Sequence, residues 1–211
     1  MRLILARHGE TESNRQRLAL GRADVPLNDT GRLQAQALAR CLQAVPFAAV
    51  YSSPLRRAYD TARAIAEAHD LAVEVDDGLV EMDVGEMDGR SLDEMRQRDP
   101  DFLRRWLGPE GATLRMPGGE SLQEVQDRAW DALQRIAERH PEDTVCAVSH
   151  NFTIHVLLCR ALGLPIADFR RFRHDLAALS VLDLTGDRAV LVRLNDTCHL
   201  EEQGLAERPL Y

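Results

Sequence analysis

The chain has 211 residues, 45% of them hydrophobic, with a net charge of -8 and a pI near 5.4. That suits one full-sized core in a single domain, and it argues against nucleic acid or an anionic membrane as the main partner. All 26 basic residues other than histidine are arginine, so P-loop, Schiff-base and lysine-dependent kinase chemistry are excluded for want of an ammonium group.

Leu3–Ala6 is an apolar run that ends in Arg7-His8-Gly9-Glu10-Thr11. It reads as a buried strand carrying a reactive group at its carboxyl end, where open α/β sheets hold ligands. An imidazole can act as a nucleophile, a guanidinium fork can hold phosphate, and Gly9 is expected to clear space for an anion. Gly31–Val45 then repeats apolar residues at helical spacing, with Leu33, Ala37, Leu38, Cys41 and Leu42 on one stripe. The strand-like run Ala48–Ser52 leads into a second helical segment, Pro54–His69, with Ser53 expected as its cap and Pro54 in its first position. Arg57 falls about one turn in, near the positive helix end that favours anions. Adjacent arginines on a helix are ordinarily just solvated charge.

After a strand at Ala72–Val75, the segment Gly78–Gly119 is irregular and rich in Gly, Pro and acidic residues. It contains short helical stretches at Ser91–Arg98 and Asp101–Leu107, and it reads either as a cover over the site or as a surface insertion. Its acidic start does not have calcium-loop spacing. Glu81, just after Leu79-Val80, is the carboxylate placed for burial, which suits a carboxyl to donate a proton. Ser121–Arg139 is amphipathic, and Thr144–Ser149 is a second apolar strand ending at a histidine, in Ser149-His150-Asn151. The following helix turns Phe152, Val156 and Leu157 inward. If the two histidine-tipped strands are neighbours, His8 and His150 meet at one rim. Leu179–Leu184 and Ala189–Leu194 form a hairpin around Thr185-Gly186-Asp187.

The alternation predicts an α/β fold, a three-layer α/β/α sandwich with a mostly parallel, mixed central sheet. The outer edge of the hairpin leaves room for a homodimer. The four cysteines are widely spaced without a Cys-x-x-Cys pair, and three lie in apolar surroundings, so they read as small buried hydrophobes rather than disulfides or zinc ligands. The first strand begins at residue 2 and no apolar stretch is long enough for a membrane span, so a cytoplasmic protein without signal peptide or membrane segment is expected. His150 and His155 are five apart rather than the four that one helix face needs for a metal, and no metal or cofactor is expected. His69, His140 and His174 read as structural or solvated, and nothing in the spacing of His155 or His199 places them at a site. Of Arg15, Arg17 and Arg22, at least two read as a solvated face.

Four separated segments resemble those of the histidine phosphatase superfamily, which includes the cofactor-dependent phosphoglycerate mutases. They are Arg7-His8-Gly9-Glu10-Thr11, the stretch from Ser52 through Arg57 to Ala62, Gly78 to Gly89, and Ser149-His150-Asn151. The resemblance runs in the family's order from Leu3 to about Leu194. It implies His8 as the nucleophile that becomes phosphohistidine, with Arg7, Arg57 and His150 completing the phosphate pocket. It further implies a hydrogen bond from Asn14 and proton donation by Glu81. The family's glycine-and-threonine region corresponds to Gly21 through Gly31, with Gly21 implied as a phosphate-binding position, and its Pro-x-Gly-Glu-Ser element to Pro117-Gly118-Gly119-Glu120-Ser121. Departures are Asn151 where many members have glycine, Met87-Asp88-Gly89 in place of Trp-Glu-Gly, and Asp60 in place of glutamine. Asn151 suits a phosphate contact through its backbone N–H. The implied function is metal-independent hydrolysis of a small phosphorylated metabolite: a phosphoglycerate, a sugar phosphate, phosphoserine or a nucleotide-loop phosphate of cobalamin synthesis. A mutase is the alternative, disfavoured because Asp88 to Met116 is short and not notably basic. A non-catalytic member that only binds phosphorylated ligands is the remaining reading.

Overall fold

The computed structural model describes residues 1–186, 188–201 and 203–206. In chain order the elements are β1 (Arg2–Arg7), α1 (Glu12–Arg15), α2 (Asp29–Leu42), β2 (Phe47–Ser52), α3 (Arg56–Glu67) and β3 (Val73–Val75), followed by α4 (Leu92–Arg98) and α5 (Pro100–Leu107). The second half runs α6 (Leu122–Arg139), β4 (Thr144–Ser149), α7 (Asn151–Ala161), β5 (Leu179–Thr185), β6 (Arg188–Asp196) and α8 (Cys198–Glu201). All six expected strands form, and they join in one mixed sheet of order β3-β2-β4-β1-β5-β6. The first four are mutually parallel, and β5 and β6 are antiparallel additions on one edge. Asp187, at the expected hairpin tip, and residues 207–211 of the tail lie outside the described residues.

Strand alternation divides the core into two layers. Leu3 and Leu5 of β1 face α6 and α7, packing with Ala129, Leu133 and Ile154. Ile4 and Ala6 face the other way, onto Leu38 of α2 and Ala58, Ala62 and Ile65 of α3. With both faces covered, the central strands are apolar throughout, as parallel strands between helix layers must be. The layers fix the rim: β1 and β4 pair from Arg2↔Thr144 to Arg7↔Ser149, so the histidines that follow them emerge side by side.

Gly78–Gly119 packs as a third cluster: Met82, Val84, Leu103, Trp106 and Met116 sit against α6, α7 and Phe169. Its two helices begin within a residue of the expected positions because each has its own cap, Ser91 in a capping box with Glu94 and Asp99 ahead of Pro100.

Two local expectations are corrected. The second helix starts at Arg56 with Leu55 as an N-cap that makes no side-chain bond, because the Ser53 hydroxyl is drawn to His150 instead. Arg57 therefore sits at the very start of α3. Of the cysteines, Cys146 and Cys159 are buried but Cys41 and Cys198 are exposed, and no disulfide joins any of the four. No described helix is long and apolar enough to cross a membrane.

Candidate active site

His8 is buried at the tip of β1, 3% exposed, with its backbone N–H donating to the Ser149 carbonyl of β4. Its Nδ1 lies 2.7 Å from the Gly9 carbonyl oxygen. A carbonyl only accepts, so Nδ1 carries the proton and Nε2 keeps its lone pair. Among the described residues nothing is hydrogen-bonded to Nε2. The His150 ring lies 5.0 Å away, centroid to centroid, tilted by 54°.

His150 is fully buried, and its Nε2 meets the Ser53 hydroxyl at 2.7 Å. That oxygen also accepts from the Leu55 N–H, and among the described residues Nε2 is the one acceptor bonded to the hydroxyl, so the hydroxyl proton is directed at Nε2. Nδ1 is then the protonated nitrogen, buried and without a partner. Arg57 is also fully buried. Its two terminal nitrogens donate to the carbonyls of Gly21 (2.7 Å) and Ala23 (2.8 Å), and its Nε is buried without a partner. Two buried donors with nothing to donate to, beside a nucleophilic nitrogen, are the signature of a site shaped for an anion. Arg7 adds a second guanidinium, steadied by the His174 carbonyl at 2.6 Å.

Charge and burial act together on these groups. Burial, then Arg57 and Arg7, push the His8 imidazole well below its ordinary range, and the same causes act on His150. Burial lowers Arg57 to about 10 despite the favourable pull of Glu81, Asp88 and Asp24.

Glu81 is 3% exposed and sits on the first turn of α7, accepting from the N–H groups of Met82 (2.8 Å), Thr153 (3.2 Å) and Phe152 (3.2 Å). The helix that follows His150 therefore locates the carboxylate as well. Asn14 lies at the edge of the site, its Oδ1 fixed by the N–H and hydroxyl of Thr11, and it borders the adjoining cavity together with Arg7 and Asn151. The structure thus brings His8, His150, Arg7, Arg57 and Glu81 together and sets Asn14 and Asn151 at the rim.

Two glycines have different reasons from those expected. A Cβ on Gly9 would stand 2.5 Å from the Gly31 carbonyl oxygen, so Gly9 lets the start of α2 cross the His8 loop rather than clearing room for an anion. Gly21 has its N–H on Asp88 and its carbonyl on Arg57. Both backbone groups are committed, so its part is to aim Arg57 rather than to touch phosphate. Asp88, one of the departures noted above, grips the N–H groups of both Gly21 and Ala23.

A model of the histidine phosphatase superfamily (branch 1) matches residues 3–197. The chain belongs to that superfamily. It is 38% identical over 202 residues to phosphoserine phosphatase 1 of Hydrogenobacter thermophilus, covering 96% of this chain and 95% of that protein. It is 43% identical over 201 residues to a bifunctional protein of Mycobacterium tuberculosis, covering 94% of this chain but 55% of the relative. Among solved structures it superposes on a putative alpha-ribazole-5'-P phosphatase of Escherichia coli with a TM-score of 0.86 and 32% identity, over 93% of this chain and 96% of that one.

Within this histidine phosphatase, local sequence signals missed three supporting groups. Ser53 orients His150 rather than capping a helix. Arg128 of α6 donates to the carbonyls of Gly78 (2.9 Å), Val80 (2.7 Å) and Glu81 (3.0 Å), holding the turn that presents Glu81. Glu120 pairs with Arg128 at 3.0 Å and also accepts from Asp83. Burial pushes the Glu120 carboxyl up, but Arg128, the Asp83 N–H and Arg22 outweigh it and leave it below the ordinary range. Arg128→Met should cost about 3 kcal/mol of stability, since Glu120 is left without its main partner. It should also lower kcat about 100-fold, as for a misplaced catalytic group. Urea denaturation and steady-state rates test both, and adding Glu120→Gln should recover stability but not kcat.

Of the two readings open for His174, structural or solvated, burial favours the first: it is 2% exposed, and its carbonyl accepts from Arg7. Burial and then Arg7 lower it to about 3, and His155 to about 4. Their folded values lie below the ordinary 6.5, so the unfolded chain takes up protons first as pH falls. The stability they contribute is whole above about pH 6.5 and drains away towards pH 4 and 3. At pH 5 the loss should be about 2 kcal/mol for each of the two relative to pH 7.5. Urea midpoints at the two pH values measure it, and equal midpoints would contradict the buried neutral assignment.

Of the remaining histidines, His69 packs edge-on against Phe47, His140 meets the Tyr51 hydroxyl and His199 meets the Ala177 carbonyl. Arg15 pairs with Glu12 and Arg22 with Glu120, whereas Arg17 borders the cavity.

Proposed function

We propose that this chain hydrolyses small phosphomonoesters through a phosphohistidine formed on His8, without a metal ion. The observation that carries the reading is the His8 ring itself. Its Nδ1–H is tied to Gly9, its Nε2 is open, and two guanidinium groups bear on it. A phosphate monoester repels nucleophiles until its oxygens are neutralised, and Arg7, Arg57 and the Nδ1–H of His150 supply fixed donors for that. The Nε2 lone pair of His8 forms a bond to phosphorus as the ester P–O bond breaks. A protonated Glu81 gives its proton to the departing oxygen. In the second half, Glu81 takes a proton from water, the water oxygen bonds to phosphorus, and the P–N bond opens to return neutral His8.

The mutase alternative uses the same first step but hands the phosphate back to an acceptor. Supplying 3-phosphoglycerate and measuring both products separates the two. Release of inorganic phosphate with no 2-phosphoglycerate is expected, undiminished by chelator. Conversion to 2-phosphoglycerate without free phosphate would favour the mutase, and failure of His8 to label from a phosphorylated substrate would leave a ligand-binding protein.

A further inference from the structure

Beside the anion pocket lies a cavity of about 640 Å³, within the range that small-molecule sites occupy. It shares Arg7, Asn14 and Asn151 with the phosphate side, so the alcohol part of a phosphomonoester poised for attack by His8 would reach into it. Its far walls are largely aromatic. Trp106 stacks parallel to Phe102 at 6.5 Å and meets Phe152 and Phe169 at 6.1 and 6.3 Å. Leu92 and Leu107 also line it, and both keep more than half of their surface in water. Apolar walls left wet in this way gain free energy when an apolar body covers them.

Among the described residues the charges in the cavity lining are all of one sign. Besides Arg7 these residues include Arg17 and Arg170, and no carboxylate is among them. The Arg170 guanidinium already lies over the rings of Trp106 and Phe169, 5.1 and 4.3 Å from their centroids. The aromatic faces that would attract a cationic ligand are therefore occupied by the protein's own cation. A small leaving group such as the serine of phosphoserine would fill little of this space, and although the arginines would draw its carboxylate they would repel its ammonium.

We propose that the leaving group of the substrate is an apolar, ring-bearing alcohol without positive charge, seated against Phe152, Leu92 and Leu107. The proposal rests on the phosphomonoesterase reading above and names the substrate class of that site. The test compares ethyl phosphate, O-phosphoserine and 2-(1-naphthyl)ethyl phosphate as substrates of the whole chain. In parallel it measures binding of ethylphosphonate and 2-(1-naphthyl)ethylphosphonate, which does not depend on turnover. The naphthyl ester should exceed both others at least about 100-fold in kcat/KM, from the area one aromatic ring system buries. The naphthyl phosphonate should bind at least about tenfold tighter than the ethyl one. Leu107→Asp, a change at an exposed wall position, should cut the naphthyl-to-ethyl ratio about tenfold while thermal melting confirms the fold. Tight naphthyl phosphonate binding with no ester hydrolysed would support the pocket and remove the catalytic reading. Phosphoserine or ethyl phosphate as the best substrate, equal binding of the two phosphonates, or an unchanged ratio in Leu107→Asp would overturn the pocket assignment and leave the catalytic reading standing.

Discussion

His8→Ala should lower turnover at least about 10,000-fold, the scale on which loss of a nucleophile is felt. It should also abolish the acid-labile, base-stable phosphoenzyme that a phosphohistidine would give. No neighbour is placed to take over. His150 is the one other imidazole within reach, but its Nε2 faces the Ser53 hydroxyl and its Nδ1 is on the donor side. The substitution should spare the fold, because the imidazole's one hydrogen bond is to the adjacent residue and the buried ring leaves a small void. A stability loss of about 1–3 kcal/mol is expected from that void. The comparison is made by single-turnover labelling and by phosphate release on the same preparations. More than about 1% residual turnover, or an undiminished acid-labile label in His8→Ala, would show that phosphate does not pass through His8.

Those expectations start from features that were readable in the sequence. Both β1 and β4 are continuous apolar runs because both are covered on each face, and each ends where its apolar character ends, at Arg7-His8 and Ser149-His150. Period and turn chemistry are local, so the six strands and the main helices could be placed from sequence. The adjacency of the two histidines depended on pairing, which the register Arg7↔Ser149 supplies.

What was hidden was set by contacts distant in the chain. Arg128 lies on an amphipathic helix where an arginine reads as solvated, and its partners Gly78, Val80 and Glu81 are 47 to 50 positions away. Ser53 had an adequate local role as a cap, and it lost that role to a histidine 97 residues on. Gly9 is required by Gly31, whose carbonyl crosses it. The burial of His174 comes from the same cause, a fold that lays its carbonyl against Arg7. None of these leaves a trace in local periodicity, because each is a single contact rather than a repeating pattern.

Arg57 shows how the site and the fold pull against each other. It is among the largest side chains sealed from solvent, and it is charged. Its nearest acceptors are the carbonyls of Gly21 and Ala23 rather than a carboxylate, and burial has lowered its affinity for its own proton. On the proposed reading, this buried cation is held at a cost that a bound phosphate would offset. Arg57→Met, which keeps the length and drops the charge, separates these effects. Loss of two bonds to buried carbonyls costs about 1–3 kcal/mol each, while removal of a buried charge returns a comparable amount. Stability without ligand should therefore change by less than about 2 kcal/mol. Activity should fall about 1,000-fold, as when a preorganised donor to the transition-state anion is lost. The rise in melting temperature that inorganic phosphate produces in the parent should largely vanish. Loss of more than about 4 kcal/mol, with the phosphate-induced rise retained, would make Arg57 a structural bolt and leave Arg7 and His150 to hold the anion.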